Sequence, residues 1–522
     1  MLKSKIPFQN IGSIPQLIKD FLNLEIPQFS SYQFSLQNAL SKAEEKSKSF
    51  SQDQRNILVE VFNRQINSLQ LTDKQKNNIN LLSQENTFTV VTGHQLNLFS
   101  GPAFFVYKIL QTIKTAEFLS QNSDKNFVPV FWMATEDHDF EEINHFKTSQ
   151  NFYQIKGKSG GAVGRIVIED TSFIDEFEKE FKDDVFGTQL ILLMKKSYQK
   201  GKTLTEATRN LVQELFAEYG LLMIDGDDTA LKNQMADIFS DELKNQVTYH
   251  FSQKNIKFLT EKYGKVQVNP REINLFYLSD TRDRISAKGT GFEIVDKNTE
   301  ISFDELSKDW SRISPNALLR PIFQEKVLPN VAYIGGNAEI MYWLEMPDVF
   351  ERFKLPFPIL IPRNSMLFLK EKTLKKIEKS GMELEYFFGD FQAKLNEKLM
   401  QNSALKSLID ERELLLKNQF DELKDKAALT DKTFRNLVEA EETRQLKSFE
   451  RMRKRLLRAE RIKQSDHINF LQTLYYDIHP SGNWQERVIN FSNFFAENGA
   501  QWLDNCYQEM DVVNSVLILM EN

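Results

Sequence analysis

The sequence predicts an α/β fold around a mostly parallel sheet, with a helical N-terminal region and a long antiparallel α-helical hairpin. Three observations carry this. Short apolar runs, TFTVVTG at 87–93, FVPVFWM at 127–133, GLLMID at 220–225 and PFPILIP at 356–362, alternate with helix-period segments, as strands covered on both faces by crossover helices do. After about Lys370 the composition shifts to Lys, Glu, Leu and Arg, with almost no Gly or Pro before Pro480. Within that stretch Ile409, Glu413, Leu416, Phe420, Leu423 and Ala427 alternate spacings of four and three, and Phe449, Met452, Leu456 and Ala459 continue the seam on a second arm.

Along the chain, Ile14 to about Ser83 has helical periodicity, visible in Leu58, Val61, Phe62 and Ile66, so residues 1–86 are expected as a helical lead-in. Residues 87–370 are the expected α/β core, in which Gly101–Pro102 opens a helix to about Leu119, while Tyr153–Asp170 and Asn274–Ser302 form β-like insertions. Residues 371–470 are the hairpin, broken near Ala428–Asp431; arms of about 25 to 33 residues, at ~1.5 Å per residue, reach on the order of 40–50 Å. Residues 471–522, with the amphipathic NWQERVINFSNFFAENGAQWLDNCYQ, are expected as C-terminal helices packing back on the body.

Composition excludes several function classes. Of 522 residues 41% are hydrophobic and 27% charged, which is a globular and not a disordered chain. Lys+Arg 66 against Asp+Glu 73 leaves a formal charge of −7, which argues against a nucleic-acid partner. The single cysteine, Cys506, rules out an internal disulfide framework or a Cys-rich zinc site and fits the cytoplasm; its helical context reads as core. No apolar run approaches the ~20 residues that span a bilayer, and the start MLKSKIPFQNIGSIPQ has no signal-peptide core, so neither a membrane nor a secreted protein is expected.

Ligands of open α/β sheets bind where strands end, and three such points hold reactive residues. In VVTGHQLNLFSGPAFFVYK (90–108), Thr92, Gly93, His94, Gln95, Asn97 and Gly101 follow a strand and Tyr107 and Lys108 lie on the next helix; backbone N–H groups there favour an anion, and His94 can stabilise its charge. In FWMATEDHDFEEINH (131–145), Glu136, Asp137, His138 and Asp139 crowd a strand end, with Asn144 nearby, either as general acid/base or ion-holding groups or as a helix N-terminus whose acids complement the dipole. His138, Asp139, Glu142 and His145 also imitate a zinc site, but no cysteine supports it and no metal is assigned. In RPIFQEKVLPNVAYIGGNAEIMYWLEM (320–346), Arg320, Gln324, Tyr333, Gly335, Gly336 and Glu339 surround a strand-to-helix turn, and Arg363 in IPRNS is an anion clamp at a further strand exit. GKT at 201–203 is no phosphate loop, because that motif needs Gly where Lys196 stands.

Together, and in this order, VTGHQLNLFSGPAFFVYK, PVFWMATEDHDFEEINH, RPIFQEKVLPNVAYIGGNAEIMYW and PFPILIPRNS, followed by a helical hairpin and NWQERVINF, resemble the BshC family, cysteine ligases of bacillithiol synthesis, over essentially the whole chain. Many members carry Gln where this chain has His94. The resemblance implies a Rossmann-like core, a coiled coil that joins a homodimer, and the last step in making this low-molecular-weight thiol: joining L-cysteine to glucosaminyl malate by an amide bond. A free carboxylate does not acylate an amine at neutral pH, so ATP, with or without Mg2+, is the expected activator, as adenylate or acyl phosphate. On this reading Gly93–Gln95 and Gly335–Gly336 bind anionic groups, Asp137, His138 and Asp139 orient or deprotonate the amine, and Arg320 or Arg363 offsets carboxylate charge. A non-catalytic metabolite-sensing scaffold and a nucleotidyltransferase for another small acid are the alternatives.

Overall fold

A computed structural model describes residues 1–401 and 403–522. The chain divides into two compact units, one of residues 1–9, 14–369 and 483–522, the other of residues 10–13 and 370–482. In chain order the strands are β1 (Leu2–Pro7), β2 (Thr87–His94), β3 (Asn126–Met133), β4 (His145–Lys147), β5 (Phe152–Gln154), β6 (Leu222–Asp225), β7 (Leu275–Leu278), β8 (Arg282–Lys288), β9 (Gly291–Ile294), β10 (Thr299–Ile301), β11 (Ile313–Pro315), β12 (Asn330–Gly335), β13 (Ile359–Pro362), β14 (Ser365–Leu369) and β15 (Val516–Glu521).

The larger unit is organised by a five-stranded sheet of order β13-β12-β2-β3-β6, parallel throughout. β2 and β3 hold register from Thr87 opposite Asn126 to His94 opposite Met133. The helix Phe104–Gln121 packs along β2 and β3, and the helix Leu36–Ser49 along β12 and β13, so these strands are buried over nearly their whole length and read as continuous apolar runs. Because all five run the same way, the chain leaves β2, β3, β6, β12 and β13 at one edge, and every polar segment singled out above emerges there.

Three expectations are corrected. The lead-in is helical from Gln16 to Leu82 but is preceded by β1, and residues 471–522 end in β15 and not in helix. β15 is the middle strand of a third sheet, antiparallel to β1 and parallel to β14. Periodicity does not separate a six-residue apolar strand from a buried helical turn; partners from distant parts of the chain decide it. The insertion Asn274–Ser302 is β-rich as expected, forming with β11 the antiparallel sheet β10-β9-β8-β7-β11. Tyr153–Asp170 is less so: beyond β5 it holds a short turn at Val163–Arg165 and one isolated bridge, Val167 to Thr203.

In the smaller unit the helices Ala404–Ala427 and Lys432–Lys463 pack against each other as a hairpin. Asp431 caps the second, accepting hydrogen bonds from the Thr433 and Phe434 backbone N–H groups at 2.7 and 2.9 Å. The seam is more polar than its periodicity suggests. Phe420 and Ala427 are buried, but Leu423 is 51% exposed and Lys424 turns inward to Glu442 at 2.9 Å. Met452 is likewise exposed, and Arg453 crosses to Asp410 and Glu413 instead. No helix among the described residues is long and apolar enough to cross a membrane.

Candidate active site

At the C-terminal edge of the parallel sheet lies a cleft of about 720 Å³. Of the residues singled out from sequence as catalytic or ligand-binding, Gly93, His94, Gln95, Lys108, Glu136, Asp137, His138, Arg320, Tyr333, Gly336, Glu339 and Arg363 line it. The remaining eight do not, and each has an internal task. Thr92 donates its hydroxyl to the Ile334 carbonyl at 2.9 Å, tying β2 to β12. Asn97 packs on Gly101, whose φ of +63° and 2.8 Å clearance to Asn97 Cβ at the place of a Cβ exclude any other residue. Tyr107 is fully buried between Phe368 and Trp502. Asp139 caps the short helix Phe140–Ile143, Asn144 donates to Glu141 at 3.2 Å, and Gln324 accepts from Arg320 Nη1 at 3.0 Å. Gly335 closes β12, and its carbonyl accepts the Arg363 N–H at 2.8 Å.

Burial and pairing set the charge states. Lys108, buried on the helix after the Gly93 turn, donates to the Gly93 carbonyl and to Glu339 Oε2, both at 2.5 Å. Burial pushes the Glu339 carboxyl up, but the Lys108 charge, with hydrogen bonds from Tyr333 (2.6 Å) and the Gly336 N–H (2.8 Å), holds it down at about 2. His94 sits against Phe104 and Phe105; burial first, then the positive charges of Lys108 and Arg363, lower its pKa to about 3. It is therefore neutral at physiological pH. Its Nδ1 lies 3.1 Å from the Gln95 carbonyl, which only accepts, so the proton resides on Nδ1 and Nε2 keeps its lone pair.

The second histidine takes the opposite tautomer. Arg282 Nη1 lies 3.0 Å from His138 Nδ1, and a guanidinium only donates, so Nδ1 offers its lone pair to this hydrogen bond and the ring N–H is the one at Nε2. Asp137 accepts from Gln95 Nε2 at 2.6 Å and from the His138 N–H at 2.7 Å. Burial alone would raise its pKa, but the hydrogen bonds from Gln95 and the His138 backbone N–H and the Arg282 charge hold the carboxyl well below the usual carboxylate range. Asp137 is thus a permanent anion, suited to holding a cation or orienting an N–H group. Glu136 is engaged elsewhere, 2.7 Å from the fully buried Lys232, which also holds Asp227 at 2.9 Å.

Sequence reasoning missed Arg271, Phe276, Arg282, Tyr342 and Arg487, which also line the cleft. Arg282 and Phe276 come from the β-rich insertion, where alternation on an antiparallel hairpin marks a buried face but not what it covers. Arg282 is locked in place by Ser314 Oγ at 2.9 Å, the Pro315 carbonyl at 2.7 Å and the Phe276 ring at 4.0 Å. Arg363 is committed to Glu486 by a buried bidentate pair at 2.7 and 3.0 Å, so it borders the cleft as a neutralised unit and not as the free clamp expected from IPRNS. Among the described residues Arg271, Arg282, Arg320 and Arg487 have no carboxylate within ion-pair distance, whereas the cleft's acids without a Lys or Arg at that distance are Asp137 and Glu142. The excess is positive and matches a ligand with several negative charges. No group of three His, Cys, Asp or Glu residues capable of holding a metal occurs among the described residues.

Residues 1–364 match the family model "Bacillithiol biosynthesis BshC, N-terminal Rossmann-like domain", and residues 366–521 match "Bacillithiol biosynthesis BshC, C-terminal coiled-coil domain". The chain belongs to the BshC family. Relatives named "Putative cysteine ligase BshC" include one from Flavobacterium johnsoniae, 39% identical over 516 residues and 97% of both chains, and one from Flavobacterium psychrophilum, 38% identical over 519 residues and 97% of both. A protein of the same name from Staphylococcus epidermidis is 28% identical over 83% of this chain and 84% of its own. Membership places the chain in an enzyme family whose named members are ligases, and its Rossmann-like and coiled-coil parts are those of the BshC models. The model that ends the BshC Rossmann-like part at 364 leaves β14, β15 and Arg487 to the second model, although all three belong to the larger structural unit.

Proposed function

We propose that this chain joins L-cysteine to the amine of glucosaminyl malate by an amide bond, after ATP-dependent activation of the cysteine carboxyl. The observation that supports it most is the cationic cleft at the strand ends of a BshC-family sheet: four guanidinium groups face a fixed carboxylate, Asp137, and a neutral imidazole, His94. In the activation step a carboxylate oxygen of cysteine attacks phosphorus, expelling pyrophosphate or ADP. In the second the amine nitrogen attacks the acyl carbon, the C–N bond forms, the C–O bond to AMP or phosphate breaks, and one proton leaves nitrogen.

Asp137 receives and orients the amine. His94 Nε2 is the acceptor left for its proton, since His138 has its lone pair directed to Arg282. Ligand phosphates would offset the Lys108 and Arg363 charges that depress His94 and so raise its basicity when the cleft is filled. A side chain at 93 would reach toward Arg320 Nη1 (3.4 Å) and Tyr333 Oη (3.5 Å), so Gly93 keeps this space open for a ligand group. Arg271 and Arg320 are the candidates for phosphate or malyl carboxylate oxygens. Incubating the purified chain with glucosaminyl malate, cysteine and ATP, and reading bacillithiol, AMP and ADP by mass spectrometry, tests the reading; nucleotide turnover without bacillithiol would move it to another acid, and no turnover would favour a sensing scaffold.

The same reading includes a cytoplasmic homodimer joined through the hairpin, with no nucleic-acid or membrane partner. Leu405, Leu408, Leu415 and Leu437 are 56%, 45%, 46% and 62% exposed on its two helices. Covering what remains exposed is worth about half of the 1.5–3 kcal/mol that complete burial of a leucine gives, and a two-fold copy is the commonest cover. Replacing residues 403–463 by a short Gly/Ser linker should leave a folded monomer by circular dichroism and light scattering; a folded dimer would place the contact elsewhere.

A further inference from the structure

The segment Gln485–Asn490 carries no chemistry legible in the sequence, yet three of its side chains anchor it, Glu486 to the cleft residue Arg363 and Gln485 and Asn490 to neighbouring backbone. Gln485 brackets β14, accepting the Phe368 N–H at 2.9 Å and donating to the Phe368 carbonyl at 2.8 Å. Glu486, 1% exposed, accepts both Arg363 bonds, the Ser365 hydroxyl at 3.0 Å and the Met366 N–H at 3.1 Å, which saturates its two oxygens. Asn490 donates to the Phe99 and Gly101 carbonyls, clamping a turn in which Phe99, Ser100 and Gly101 all have positive φ. Between these anchors stands Arg487, an exposed lining residue of the cleft. Its guanidinium lies 5.7 Å from the Phe104 ring, which also carries the Arg363 guanidinium at 4.7 Å. Arg363 is neutralised by Glu486; for Arg487 no ion pair occurs among the described residues.

A backbone pinned on both sides and a cation left unpaired at the cleft make a built anion-binding position. We infer that Arg487 is a ligand-binding residue of the cleft, holding a carboxylate or phosphate oxygen of the substrate, and that Glu486 is a positioning residue which neutralises Arg363 so that two like charges can share the Phe104 ring. The inference rests on the functional reading above for its ligands: the anion is either a malyl carboxylate or an ATP phosphate.

The full-length chain and its Arg487→Ala and Arg487→Lys variants should be titrated separately with glucosaminyl malate and with ATP by calorimetry. Arg487→Ala is expected to weaken one of the two at least tenfold and the other less than twofold, which identifies the source of the anion; Arg487→Lys should recover part of the loss. Ligand-free thermal unfolding should match wild type, since the Arg487 side chain forms no ion pair in the protein. Binding of both ligands within twofold of wild type would overturn the inference. Should wild type bind neither, the functional reading falls, and malate and inorganic pyrophosphate then serve as probes: tighter binding of one by wild type than by Arg487→Ala upholds the anion site, and equal or absent binding overturns it.

Discussion

The cleft and the hairpin are both rich in charge, and they use it in opposite ways. Around the cleft, Lys108, Lys232, Arg363 and Glu486 are almost completely buried and each is committed to a partner at 2.5–3.0 Å. On the hairpin, pairs such as Arg435–Glu439 at 3.1 Å and Lys426–Glu422 at 2.7 Å follow i,i+4 spacing on a solvated surface. A buried pair strongly penalises loss of either member, because the survivor is left as an uncompensated charge, whereas a surface pair is replaced by water. The charges worth reading as functional are thus the few that stay unpaired where pairing is otherwise complete.

The sharpest test is Glu486→Ala, which leaves Arg363 buried without its carboxylate; a loss of about 3–5 kcal/mol is expected in urea unfolding, and a loss below about 1 kcal/mol would erase the contrast with the hairpin. Next in size, Asp137→Asn keeps shape but removes the fixed negative charge, so kcat/KM for amide formation should fall about a hundredfold or more while the unfolding midpoint moves by less than ~3 °C. Equal activity in a folded variant would take Asp137 out of the mechanism.

A smaller effect is expected from His94→Gln. With the folded pKa near 3 and an unfolded value near 6.5, the unfolded chain binds a proton that the native one does not, so wild-type stability declines as pH falls through this window, by up to about 1.4 kcal/mol per pH unit. Unfolding curves between pH 6.5 and pH 4 should be less steep in pH for His94→Gln; parallel curves would mean that His94 is not held neutral. The smallest belongs to Arg453→Ala on the hairpin, where loss of the Asp410 and Glu413 contacts should cost roughly 0.2–1 kcal/mol and be reduced further by salt.

The sequence alone determined the parallel core strands, the helical hairpin and the three strand exits, because a strand covered on both faces must be continuously apolar and a ligand loop must follow it. Twelve of the candidate residues line the cleft, and for those at the strand exits, such as Gly93, His94, Asp137 and Gly336, that position is legible from the residues next door. The tertiary structure decided what depends on distant partners. β15 became a strand because β1 and β14 flank it, Arg363 lost its free charge to Glu486 some 120 residues later, and Arg282 and Arg487 reached the cleft from segments with no local signature. Whether Asp139 caps a helix while Asp137 faces the cleft, and on which nitrogen each histidine keeps its proton, likewise follows from hydrogen-bond partners brought together only by folding.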